Sequence, residues 1–179
     1  MSDSPVDSDK RTWLIASGCA GAVGAGFAAV PFVASFAPSE RAKAAGAAVE
    51  VDIGTLRPGE MTTVEWRGKP VWILKRTPEQ VAELPKLDAK LADPDSRRKP
   101  DELTPEYARN KARSIKPEVL VAVGICSHLG CSPTAKLQAG AQPSLPEDWQ
   151  GGFFCPCHGS MFDLAGRVYK NLPAPDNLE

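Results

Sequence analysis

The chain has 179 residues, with 21 Lys and Arg against 22 Asp and Glu, a net charge of −1 and 42% hydrophobic residues. That balance gives no overall field to draw nucleic acid, no phosphate-binding loop is present, and the length suffices to bury a core without covalent staples. Usage is more telling than composition: of five cysteines and two histidines, four cysteines and both histidines fall in two short blocks near the C-terminus.

In chain order, a short tail (residues 1–11) ends in Lys10-Arg11. From Thr12 to Ser39 there is no charged residue, and Trp13 to Phe36 is long enough to cross a hydrocarbon core at helical rise, so residues 12–37 are expected to form one transmembrane helix. Gly18, Ala22 and Gly26, four apart, offer a small-residue face for close helix packing, and Pro31 is expected to kink the last turns. Cys19, inside this run, is expected to be a small buried hydrophobe without a function. A cleaved signal peptide is the competing reading, with Lys10-Arg11 before the run and Ala34-Ser35-Phe36-Ala37 after it. The run is longer than an ordinary signal core, which favours a retained anchor. Positive charge does not orient it, because Lys10 and Arg11 precede the run and Arg41 and Lys43 follow.

Residues 38–48 are small and polar and read as a flexible hinge. Residues 49–179 read as a mainly β head. Val49-Glu50-Val51-Asp52-Ile53 alternates, Met61 to Trp66 and Pro70 to Arg76 flank a Gly-containing turn, and Val119 to Ile125 is nearly all apolar, so an antiparallel β-sandwich follows. Residues 77–117 interrupt it with six prolines among many charges. They read as an insertion, with short helices expected at Pro78–Leu84 and Pro105–Lys111. Its charge run, Arg97-Arg98-Lys99, reads as solvated surface. Phe162 to Tyr169 is expected to be a strand, a Gly turn and a second strand. The 26 residues between His128 and Cys155 must fold back to bring both blocks to one tip, which outlines a small subdomain over about 120–172.

The blocks are Cys126-Ser127-His128-Leu129-Gly130-Cys131 and Cys155-Pro156-Cys157-His158-Gly159-Ser160. The pattern C-x-H followed by C-x-x-H matches a Rieske [2Fe-2S] centre, in which one iron takes two thiolates and the other two imidazoles. On this match Cys126 and Cys155 hold the inner iron and His128 and His158 the outer, with one cluster per chain. Neutral imidazoles in place of two thiolates leave the oxidised cluster about neutral, so an electron enters more readily than into a four-Cys cluster. Reduction also weakens the pull of ferric iron on the imidazole protons, which favours proton uptake on an exposed ring nitrogen. Leu129 is a candidate shield over the cluster, and Ser160 a candidate donor to a bridging sulfide. With the ligands so assigned, Cys131 and Cys157 remain, and a disulfide between them is expected to clamp the blocks together. Zinc sites usually show paired C-x2-4-C and H-x3-5-H spacings, which these blocks lack.

Beyond this motif, the chain resembles the Rieske subunits of bacterial quinol:cytochrome c oxidoreductases, the cytochrome bc complexes. Trp66-Arg67-Gly68-Lys69-Pro70-Val71-Trp72 with Lys75-Arg76-Thr77 resembles the family's first head hairpin. Arg113 to Pro117 entering Val119 resembles its approach to the first block, and Pro173-Ala174-Pro175 resembles its proline loop. The resemblance implies an electron-transfer subunit, inactive alone, in a dimeric membrane complex. Its head would take one electron from a quinol bound in a b-type cytochrome subunit and carry it by domain movement to a c-type cytochrome. The residues alone leave open which histidine meets the quinol; the resemblance favours His158 as recipient of its hydrogen bond and proton, with His128 the other exposed imidazole. It also implies an uncleaved anchor in the bacterial inner membrane, exported by the twin-arginine route although Lys10-Arg11 stands where two arginines are expected. The head would lie in the periplasm, where a disulfide persists.

Three departures from the family stand out. Phe162 occupies the place of a Tyr that donates to a ligand sulfur in high-potential members, so the cluster is expected to be harder to reduce. Asn171-Leu172 precedes the proline loop where a Gly is usual, and Asn tolerates the left-handed backbone this turn needs. The chain stops at Asn177-Leu178-Glu179, where relatives usually continue into further strand. A periplasmic Rieske relay subunit of a molybdenum oxidase, such as arsenite oxidase, is the alternative function; the hairpin and the proline loop favour the quinol enzyme. A soluble oxygenase-type Rieske ferredoxin would need neither the apolar run nor the extra Cys pair.

Overall fold

A computed structural model of the chain describes residues 7–99 and 102–179. It divides into two compact units, Met1–Ala47 and Ala48–Glu179; residues 1–6 of the expected tail lie outside the described residues.

In the first unit, helix α1 (Ser8–Ser35) starts about one turn before the apolar run because the Asp7 carboxylate accepts from the Asp9 and Lys10 N–H groups. The helix contains 28 residues, including Pro31, and none is buried. At about 1.5 Å per residue it is long enough for a hydrocarbon core of about 30 Å. Cys19 is exposed rather than buried. A Cβ added at Gly18 or Gly26 would meet nothing within 4 Å. The segment read as a plain hinge contains a short helix, α2 (Glu40–Ala45), capped by the Ser39 hydroxyl, which accepts from the Ala42 N–H.

The second unit is the β head. Strands β1 (Met61–Trp66), β2 (Lys69–Lys75) and β3 (Val119–Val123) form one antiparallel sheet in that order. Trp66 faces Lys69 across a tight turn in which Arg67 and Gly68 take φ of 52° and 73°, as a two-residue hairpin turn with right-handed strand twist requires. Strands β4 (Thr134–Lys136), β5 (Gly152–Phe154) and β6 (Met161–Asp163) form a second antiparallel sheet. The sheets share one core, in which Trp72 of β2 stacks on Phe153 of β5 at 4.7 Å, with Leu74, Leu120, Phe162 and Val168 around them. Burying such large apolar side chains contributes roughly 1.5–3 kcal/mol each and fixes one sheet to the other.

Two expected strands are missing. Val49–Ile53 does not join a sheet, because the Asp52 carboxylate accepts from the Gly54 N–H and the Asp52 carbonyl from the Thr55 hydroxyl, closing a local turn instead. The strand expected after Gly166 is reduced to two bridges, Phe162 to Val168 and Leu91 to Tyr169.

Residues 77–117 are bound into the core rather than laid on it. Helix α3 (Pro78–Glu83) opens with a capping box between Thr77 and Gln80 and passes into a 3-10 helix, Leu84–Lys90. Leu84, Leu87 and Leu91 are buried. The helix expected over Pro105–Lys111 shrinks to one 3-10 turn, Glu106–Ala108, because Asn110 accepts from the Ala112 N–H and donates to the Ser114 carbonyl. Three buried arginines fasten this segment to the turn after β6. Arg167, paired with Asp163 at 2.7 Å with both fully buried, donates to the Leu84 carbonyl; Arg76 donates to the Ala112 and Leu164 carbonyls and Arg113 to the Ala165 carbonyl. Burial pushes the Arg76 and Arg113 guanidinium groups down to about 10, with Asp163 opposing.

Candidate metal centre

Both Cys/His blocks form loops at one end of the second sheet, and their backbones close in the same way. In the first, the Cys126 N–H donates to the Cys131 carbonyl and the Gly130 N–H to the Cys126 carbonyl; in the second, the Cys155 N–H donates to the Ser160 carbonyl and the Gly159 N–H to the Cys155 carbonyl. Gly130 and Gly159 supply the matching left-handed step, with φ of 80° and 76°.

These loops bring together the side chains singled out by spacing. Cys126 and Cys155 are free thiols, each 2% exposed. The His128 and His158 rings meet edge to face with centroids 4.7 Å apart, His158 exposed and His128 partly so. Cys131 and Cys157 form a disulfide that ties one loop to the other. Leu129 is 71% exposed, whereas Ser160 is fully buried.

Burial pushes the Cys126 thiol up, with the polar His128 backbone and Ser160 hydroxyl opposing and the neighbouring Cys155 adding to the rise. Two buried free thiols on loops that also bring two imidazoles together are the donor set of a mixed Cys/His iron-sulfur cluster. The sulfurs of Cys131, Cys155 and Cys157 also lie within 4.8 Å of one another. Two of these are committed to the disulfide and cannot act as thiolates, so their closeness records loop convergence, not a three-Cys metal site.

The proline loop covers the same end. Asn171 takes φ of 59°, so the left-handed turn survives without the usual Gly. The Ala174 N–H donates to the Ser160 hydroxyl at 3.0 Å, and the Ser127 hydroxyl donates to the Asp176 carbonyl at 2.6 Å. Phe162 is fully buried in the shared core, one strand position from the loop. Sequence reasoning passed over Ser127 and Asp176; the available signal was a hydroxyl placed between two metal-type residues.

With this geometry in place, similarity to known proteins decides the family. The Rieske [2Fe-2S] domain family matches residues 99–179, and a family described as the "Ubiquitinol-cytochrome C reductase Fe-S subunit TAT signal" matches residues 9–39. The chain is 57% identical to the ubiquinol-cytochrome c reductase iron-sulfur subunit of Allochromatium vinosum, over 99% of this chain and 84% of that one. It is a Rieske iron-sulfur subunit of the ubiquinol-cytochrome c reductase family. The Bradyrhizobium diazoefficiens subunit is 40% identical over 94% of this chain and 85% of its own length. The mitochondrial Rieske-1 subunit of Arabidopsis thaliana is 46% identical over 74% of this chain and 40% of its own. As a Rieske subunit the protein carries a [2Fe-2S] cluster and serves electron transfer in a membrane respiratory complex, with α1 as a helix able to anchor it.

Proposed function

We propose that Cys126, His128, Cys155 and His158 are the cluster ligands and that His158 is the point of contact with quinol. The observation that carries this reading is the convergence of two loops, tied by the disulfide, that hold two rings meeting at 4.7 Å and two buried free thiols. When bound, the cluster supplies one-electron redox capacity at a raised potential. The chain's own residues do the rest. Cys126 and Cys155, shut off from water, hold thiolates in a low dielectric, where Ser160 donates toward sulfur. His158 is exposed, so its outer ring nitrogen can accept the hydrogen bond and then the proton of a quinol hydroxyl. His128, less exposed, holds the second imidazole position. Exposed Leu129 is placed to exclude water where the loops meet a partner.

In this reading the head accepts an electron beside a b-type cytochrome subunit and delivers it to a c-type cytochrome, with the segment around α2 as the tether and quinol oxidation completed by the assembled complex. The head lies in the periplasm, a side supported by the disulfide, and α1 is retained as a single span of the bacterial inner membrane. The relatives do not favour a molybdenum-oxidase relay. Purification of the complex from native membranes through a tag on this chain tests the partners: b-type and c-type haem are expected with it, and molybdenum without haem b would overturn the assignment.

A further inference from the structure

The run Arg97-Arg98-Lys99 is exposed, as expected of solvated surface, yet two of its side chains are tied down by the fold. The Asp93 carboxylate accepts from the Arg97 and Arg98 N–H groups and closes a turn in which Ser96 and Lys99 take φ of 52° and 45°. This turn is fastened to the chain beyond the proline loop at four points. Arg98 Nη1 donates to the Pro175 carbonyl at 2.9 Å, Lys99 Nζ pairs with the Asp176 carboxylate at 2.7 Å, and Asn177 Nδ2 donates to the Asp93 carbonyl and the Ser96 hydroxyl. The Asp176 side chain is 10% exposed, so its charge is largely removed from water and leans on Lys99; the same contact pushes the Lys99 ammonium up. The backbone of Asp176, in turn, grips the Ser127 hydroxyl from both sides, accepting through its carbonyl at 2.6 Å and donating through its N–H at 3.4 Å. Ser127 stands between Cys126 and His128.

We propose that Lys99 and Asp176 form an ion-pair lock that positions the first ligand loop and sets the electrostatic potential at the cluster: Lys99 holds Asp176, and Asp176 holds Ser127. Both are positioning residues, since neither touches iron or quinol. The proposal rests on the ligand assignment above.

The sign of its effect separates it from mere packing. A reduced cluster has gained negative charge, so an unpaired carboxylate nearby opposes reduction and an unpaired ammonium favours it. Lys99→Gln leaves Asp176 unpaired, and the midpoint potential should fall. Asp176→Asn keeps the backbone bonds to Ser127 but leaves Lys99 unpaired, and the midpoint should rise. Each shift should correspond to about threefold in the equilibrium constant for reduction, given that Lys99 is half exposed and screened. The double variant, with both charges gone, should return close to the starting value.

The experiment is an EPR-monitored redox titration of the membrane-bound complex carrying each variant. Opposite shifts with the double variant restored support the lock. Shifts of the same sign, or none, overturn it. If Lys99→Gln loses its cluster, Asp176→Asn decides alone: a raised midpoint supports the lock, and an unchanged or lowered one refutes it. Absence of a mixed Cys/His signal from the unaltered protein would instead fail the ligand assignment, so the two failures are distinguishable.

Discussion

The two ligand loops have the same backbone and different attachments. Each runs five residues beyond a buried cysteine, closes with the same pair of hydrogen bonds and turns on a left-handed glycine. They diverge in side chains. The first places its histidine two positions after the cysteine, ends in the disulfide cysteine Cys131 and is held from outside by Ser127 on Asp176. The second places its histidine three positions on, carries its disulfide cysteine before the histidine, and ends in buried Ser160, which accepts from Ala174. Duplicated backbone thus supplies two equivalent inward thiols, whereas unequal side chains supply two imidazoles of unequal exposure. Equivalence suits the iron that the two thiols are proposed to hold; inequality leaves one imidazole freer to meet a partner.

The strongest way to break this comparison is to remove the equivalent pair. Cys126→Ala and Cys155→Ala should each abolish the [2Fe-2S] signal in EPR and optical spectra, and a cluster surviving either change would disprove the pairing of the thiols. Removing the cross-link tests the convergence of the loops. Cys131→Ser should lower stability by about 3 kcal/mol from the released chain entropy of the intervening loop, with cluster loss on warming as the readout. An unchanged melting transition would show that the loops hold together without it.

The shared turn is open to a finer test. A Cβ at Gly130 or Gly159 would meet nothing within 4 Å, so replacement by Ala carries only the left-handed backbone penalty. Each should cost about 1 kcal/mol, and nearly the same amount in both loops, by thermal denaturation of the oxidised protein. A large disparity would mean the loops are not equivalent in backbone. Smallest in effect, Phe162→Tyr should raise the midpoint potential by restoring a donor toward a ligand sulfur. A lowered or unmoved midpoint would indicate that the sulfur already has another donor.

Much of this was legible in the residues, for identifiable reasons. The β1–β2 hairpin shows itself because alternation and a Gly turn act over short range, and the turn at Asn171 follows from a residue type that tolerates the left-handed region better than most. The ligand candidates stood out because His is so rare in the chain. Where the reading failed, side chains had captured the backbone locally. Asp52 closes a turn out of an alternating segment, Asn110 ends a helix after one turn, and the Asp163 carboxylate accepts from the Ala165 and Arg167 N–H groups, leaving too little extended chain for a strand. Arg98 and Lys99 are exposed, as composition suggests; only the fold reveals that their partners lie 77 residues away.

The central claim is that an exposed imidazole of this chain meets quinol while its iron accepts the electron. An EPR-monitored redox titration of native membranes at several pH values, with and without a quinol-site inhibitor, tests it most directly. A midpoint that falls with rising pH, together with a line shape that shifts when the inhibitor binds, is the result predicted. A Rieske signal indifferent to both pH and inhibitor would contradict the claim.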